Sequence, residues 1–189
     1  MISHSHKYIF VHVSKTAGIT IRHVMKGTYD ELHDPHHLGI QRIKENLPDK
    51  IFQSYFKFGT VRNPWDREVS RYKFLQKYKK SPLSKYCQGS FNEYLFKFNE
   101  LDSKNPHLIN YNVLKIDGKI GVDYVMKFEN LQEDFNIVCD KIGIPRLKLP
   151  HKNKTPHKHY AEYYDDETRE LVAKCYAKDI EYFGYKFGE

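Results

Sequence analysis

A chain of 189 residues, 40% hydrophobic and 29% charged, has enough apolar surface to bury one core, which excludes a disordered segment and makes stapling by disulfides unnecessary. Its 31 Lys and Arg against 24 Asp and Glu leave a formal charge of +7 and an isoelectric point near 9.1, so the expected partner is anionic: a nucleotide, a nucleic acid or a polyanionic glycan. The start "MISHSHKYIF" lacks the apolar region of a leader and no long apolar run follows, which predicts a cytoplasmic chain without a membrane span.

The apolar, β-branched and aromatic run from Tyr8 to Val13 reads as a buried strand of a parallel sheet, stopping at Ser14. After it come "SKTAGIT" and a helix with Ile21, Val24 and Met25 at helical spacing. Ile40, Ile43 and Leu47 mark a short helix. A second strand, "YFKFGTV" from Tyr55 to Val61, ends just before Arg62; Asn63 can then cap a helix, with Pro64 at its first position and Trp65, Val69 and Tyr72 on one face. "SFNEYLFKF" is a capping-box helix through Ser90 and Glu93.

The third strand, "VDYVMKF" from Val122 to Phe128, leads to a helix capped by Asn130, with Leu131, Phe135, Val138 and Ile142 on one face and Gly143 and Pro145 as its stop. "RLKLPHKNKTPHKH", Arg146 to His159, is basic, broken by proline and without an acid, and predicts a long surface loop. A last helix starts near Asp165 and Asp166, presents Val172, Cys175, Tyr176, Ile180 and Phe183, and ends at Gly184. Cys87, Cys139 and Cys175 are odd in number and lack a Cys-x-x-Cys pair, so no disulfide framework or zinc ribbon is expected; Cys139 and Cys175 fall on apolar helix faces. Strand followed by helix, repeated along the chain, predicts one α/β domain over residues 1–189 with a central, mostly parallel sheet flanked by helices.

Ligand sites of such sheets lie beyond the carboxyl ends of the strands, where two motifs fall. In "SKTAGIT" a turn offers backbone N–H groups at a helix start, Lys15 a cation, and Thr16 and Thr20 hydroxyls, which suits an anion. The residues before Lys15 are Val11, His12, Val13 and Ser14, and they cannot wrap a β-phosphate as the glycine-rich loop of a nucleoside-triphosphatase does. In "VRNPWDREVSRY", Arg62 at a strand end and Ser70 two helical turns on could converge on one phosphate.

Together these stretches resemble the sulfotransferases that use 3'-phosphoadenosine 5'-phosphosulfate (PAPS), in particular the Golgi-type carbohydrate sulfotransferases and their compact bacterial relatives. "HVSKTAGITI" is similar to the family's 5'-phosphosulfate loop and "FGTVRNPWDREVSRY" to its 3'-phosphate motif; the likeness continues through "VMKFENLQEDF", "LPHKNKTPHKHYAEYYDDET" and "DIEYFGYKF". The resemblance implies a three-layer, P-loop-like fold, with PAPS as donor and the 3',5'-bisphosphate PAP as product. Lys15, Thr16, Ala17, Gly18 and Thr20 would surround the 5'-phosphosulfate, Arg62 and Ser70 the 3'-phosphate, and Lys154, Thr155 and Lys158 of the basic loop would add contacts. Ser14 replaces the family's usual Pro, Ala17 a Gly, and Ile19 a hydroxyl residue.

In-line sulfuryl transfer asks the protein for positioning and charge stabilisation, with Lys15 neutralising the leaving oxygen and a histidine as base. His37, at the start of a short helix in "DPHHLGIQRIKENL", matches a histidine common in relatives, with His36 as its rival; a helix start keeps an imidazole neutral. The acceptor implied is a hydroxyl, of a glycan or glycoconjugate. No metal is expected, because neither His33, Asp34, His36 and His37 nor His151, His157 and His159 have a zinc spacing. Tyr160, Tyr163 and Tyr164 could cover the site or simply pack. Three rivals are a nucleotide or small-molecule kinase, which lacks its phosphate loop here, a non-catalytic nucleotide binder, and a nucleic-acid-binding module, whose stacking platform is not evident. A compact nucleotide, with no nucleic acid, accounts better for basic residues gathered at strand ends.

Overall fold

The computed structural model describes residues 1–31, 38–102, 110–150 and 158–189. Along the chain lie β1 (Ile2–Ser3), β2 (Tyr8–Val11), α1 (Gly18–Val24), α2 (Ile40–Glu45), α3 (Asp49–Ser54), β3 (Phe56–Val61), α4 (Pro64–Lys77) and α5 (Phe91–Asp102). There follow α6 (Asn110–Leu114), β4 (Lys115–Ile116), β5 (Lys119–Ile120), β6 (Tyr124–Lys127), α7 (Leu131–Ile142), α8 (Asp166–Cys175) and α9 (Ala177–Phe183), with single 3-10 turns at Pro82–Cys87, Phe128–Asn130 and Tyr160–Tyr163. The chain divides into two compact units, one of Met1–Arg62 with Asn110–Lys152, the other of Asn63–Ile109 with Asn153–Glu189.

The first unit holds a four-stranded sheet in the order β1-β2-β3-β6. β2, β3 and β6 are parallel, in a register that pairs Phe10 with Phe58 and Thr60 with Met126, while β1 is an antiparallel edge. This is the expected mixed α/β architecture with a mostly parallel sheet. Period-two alternation sends Tyr8, Phe10, Phe58 and Met126 to one face, where Ile21 and Met25 from the α1 region and Phe135, Val138, Cys139 and Ile142 of α7 close the core. On the opposite face a Cβ at Gly59 would sit 2.6 Å from Leu114 Cδ2, so glycine is what lets α6 approach the strand. Helices on both faces explain why β2 reads as an unbroken apolar run and why β3 is buried along almost its whole length.

Two local expectations for this unit need correction. Asn130 does not cap α7; its amide donates instead to Asp134 Oδ1 at 3.1 Å, one turn into the helix. The basic stretch after Arg146 begins inside the core: Leu149 is buried, and the Gln132 side chain donates to Leu147 O at 3.1 Å and accepts from Leu149 N at 2.8 Å. Leu147 and Leu149, alternating about Lys148, carried that signal, and the surrounding charge masked it.

The second unit is helical. Its predicted C-terminal helix is two helices, because the backbone leaves helical geometry at Tyr176 before α9 begins. An Asp165–Thr168 capping box starts α8, and Gly184 in the left-handed region ends α9. Cys139 is buried but Cys175 only half-buried.

Candidate functional site

β2 stops at Val11, two residues short of the expected end, so His12 and Val13 already belong to the loop that leads into α1. The His12 ring stacks on Phe10 at 6.1 Å and lies against Gly18, where a Cβ would come within 1.9 Å of the imidazole. Gly18 is therefore fixed by the ring beneath it. Lys15 and Ala17 have positive φ, 65° and 64°, on either side of Thr16, which does not. Alternating φ across consecutive residues turns their N–H groups toward one concave side, the geometry of an anion nest. No acidic residue occurs anywhere between Tyr8 and Tyr29.

Thr16 is fully buried and its hydroxyl donates to Val13 O at 2.8 Å, which closes the turn and directs that proton inward. Its backbone N–H is then the group that suits an anion. Thr20 is buried to 9% exposure, while Ile19 between them is 58% exposed. The two motifs picked from the sequence meet here, since Arg62 Nη1 donates to Lys15 O at 3.2 Å. Arg62 is 7% exposed; its guanidinium also lies 4.0 Å from the centre of the Phe128 ring, and its backbone carbonyl accepts from Asn110 Nδ2 at 3.2 Å. Neither Phe128 nor Asn110 was visible as a partner, because only the end-of-strand position of Phe128 marks it.

In the second unit Ser70 is half-buried on α4. The start of α4 is firmly held: Asn63 Oδ1 accepts from Trp65 N at 3.1 Å, its amide donates to Lys186 O at 3.0 Å, and Trp65 Nε1 donates to Arg169 O at 3.0 Å. Further along, the buried Glu68 accepts from Tyr94 Oη at 3.0 Å and from Tyr176 Oη, and its carboxylate forms an ion pair with Arg71, whose Nη1 lies 3.2 Å away. Burial, and then Glu68, push the Tyr94 hydroxyl well above its ordinary pKa; burial and the Arg71 charge lower that of Arg67. Tyr160 and Tyr164 are packing residues of this unit. Tyr164 Oη donates to Trp65 O at 2.9 Å, and Tyr160 Oη accepts from Gly188 N at 2.7 Å.

Lys158 is exposed and lies 3.8 Å from Glu162. His36, His37, Lys154 and Thr155 fall outside the described residues, as do most of the two histidine groups weighed for metal. Among the described residues no group of His, Cys, Asp or Glu could hold a metal ion, and no helix is long and apolar enough to cross a membrane.

The profile described as "Sulfotransferase family" matches residues 1–186. This chain belongs to the sulfotransferase family. The chain is similar to an uncharacterised protein of Archaeoglobus fulgidus, 29% identical over 103 residues that make up 54% of this chain and 80% of that one. It is also 22% identical to carbohydrate sulfotransferase 14 of Danio rerio over 98% of this chain, and it spans 61% of that protein's length. Its fold matches that of mouse sulfotransferase SULT7A1, solved in complex with PAP, with a TM-score of 0.58 at 14% identity, over 95% of this chain and 85% of the mouse one.

Proposed function

We propose that this protein transfers a sulfuryl group from PAPS to a hydroxyl of a carbohydrate acceptor, by in-line attack and without a metal. The observation that carries the proposal is the junction of the two motifs: a nest with alternating φ, held by Arg62 through the Lys15 carbonyl, in a stretch free of acids. Backbone N–H groups from Lys15 to Gly18, the Lys15 ammonium and the Thr20 hydroxyl fit a 5'-phosphosulfate. PAP in the mouse relative and the carbohydrate named for the Danio rerio relative support the choice of donor and of acceptor class.

In this proposal Lys15 stabilises negative charge on the oxygen that leaves with the nucleotide. Arg62, with Ser70 of α4, holds the 3'-phosphate, and Lys154, Thr155 and Lys158 add cations and a hydroxyl. His37 removes the proton of the attacking hydroxyl, with His36 as the alternative base. The transferred group carries a single negative charge, which is why cationic side chains and backbone N–H groups suffice.

Calorimetry with PAP, ATP and AMP tests the donor assignment. PAP should bind most tightly, and Lys15→Ala or Arg62→Ala should each weaken it at least tenfold, as expected for loss of a charge-assisted contact worth about 1.5–3 kcal/mol. Tighter binding of ATP, or indifference to both substitutions, would sink the assignment. His37→Ala should keep PAP affinity and lose transfer from labelled PAPS to a glycan panel; undiminished transfer would remove His37 as base.

A further inference from the structure

A second feature starts where the nest ends. Ile19, Arg22, His23 and Lys26 stand at i, i+3, i+4 and i+7, a spacing that sets them along one side of α1 and its C-terminal turn, and with Tyr29 they line an open groove of about 360 Å³. Buried Ile21 and Met25 hold the other side of this stretch in the core, so the groove faces solvent by construction. Three of its five lining residues are basic or can become so, and none is acidic. Among the described residues none of Arg22, His23 and Lys26 forms an ion pair, although Asp30 and Glu31 follow closely; both acids are engaged by His4, Asp30 through the His4 N–H at 2.6 Å and Glu31 through the ring at 3.1 Å. At the helical rise the stripe from Ile19 to Lys26 is roughly 10 Å long.

We propose that this groove is an acceptor subsite that binds an acidic sugar unit. It rests on the sulfotransferase function proposed above. Arg22 offers a planar fork that matches a carboxylate or a sulfate, and Lys26 a point charge one turn on. Ile19 and the Tyr29 ring supply the apolar surface that a sugar's C–H face covers and that an extended phosphate backbone does not need. Ile19 also gains a purpose: it gives up a hydroxyl beside the nest and, 58% exposed, lines the groove's near end. A subsite beginning at the residue after Gly18 would hold the acceptor chain alongside the nest, in reach of the transferred group.

The test titrates the full chain, without nucleotide, with hyaluronan oligosaccharides, dextran sulfate, neutral dextran and single-stranded DNA of matched charge. Hyaluronan reads carboxylate recognition and dextran sulfate reads sulfate recognition. At least one should bind, neutral dextran should not, and Arg22→Glu with Lys26→Glu should weaken the bound glycan tenfold or more. Arg22→Gln with Lys26→Gln, which introduces no repulsion, should weaken it at least threefold while circular dichroism stays unchanged. Unaltered glycan affinity in both double variants overturns the subsite. DNA bound as tightly as either glycan, and lost in the same variants, also overturns it in favour of a nucleic-acid surface. PAP titrated into these proteins and into Lys15→Ala reads the donor assignment separately, because Lys15→Ala should weaken PAP at least tenfold and leave the glycan bound.

Discussion

Ala17 adopts a φ of 64° that alanine takes at a cost of about 1–2 kcal/mol, at a position where the family pattern has glycine. Ala17→Gly should therefore raise stability by up to about 1 kcal/mol, the relief of strain being partly offset by the entropy of an unfolded glycine, and a urea midpoint would register it. Gly18 presents the opposite case. Its missing Cβ makes room for His12, so Gly18→Ala should destabilise by about 1–3 kcal/mol through overpacking, and His12→Ala should recover most of that loss; equal costs in both backgrounds would show that the ring is not the obstacle. At this scale the meeting of Lys15 with Arg62 was legible, since the ends of adjacent parallel strands fall on one side of the sheet. The inward turn of the Thr16 hydroxyl and the place of His12 were not, because both depend on where β2 ends.

Among the elements, α4 owes its attachment to charge as well as to apolar burial. Arg67, Glu68 and Arg71 are all buried, and Glu68 joins helices α4, α5 and the α8–α9 junction through Arg71, Tyr94 and Tyr176. Removing one member strands the others in a poorly solvating interior. Glu68→Ala should accordingly cost about 3–5 kcal/mol, several times an ordinary surface substitution, as read by chemical denaturation. At the start of α8 the Asp165 carboxylate is held below its usual range, first by the Thr168 hydroxyl and then by the Thr168 N–H. A depressed pKa stabilises the fold above the ordinary aspartate value and loses that contribution as pH falls through the lowered one. Asp165→Asn keeps a capping oxygen without the titration, so its melting temperature should drop less than the parent's between about pH 4 and pH 2. The parallel strands and the helices after them were readable because β2 is an unbroken apolar run and each strand is followed by a helix with one apolar face. The β4–β5 hairpin was missed although "KIDGKI" carries an Asp-Gly turn whose two residues have positive φ, since each strand is only two residues long. The break at Tyr176 had no sequence marker, as neither proline nor glycine stands there.

For the whole molecule, the excess of +7 is spread unevenly: the stretch from Tyr8 to Tyr29 contributes Lys15, Arg22 and Lys26 with no acid among them. Binding of PAP and of an acidic glycan should both weaken as salt rises from about 50 to 500 mM, and Arg22→Gln with Lys26→Gln should flatten the glycan's salt dependence while leaving that of PAP nearly as steep. Parallel loss of both slopes would mean that net charge, and not its placement, governs attraction. The fold class followed from pattern, but the charge distribution had to be placed on α1 before it acquired a direction. Arg62, pinned between the Lys15 carbonyl and the Phe128 ring, has already given up most of its rotamer freedom in the free protein. An arginine side chain carries about 2 kcal/mol of such freedom, so an anion meeting this one is spared much of the immobilisation entropy that a mobile guanidinium would exact. Phe128→Leu should then weaken PAP binding through a less favourable binding entropy with the enthalpy little changed, a calorimetric signature of preorganisation arising from a ring that needs no contact with the nucleotide.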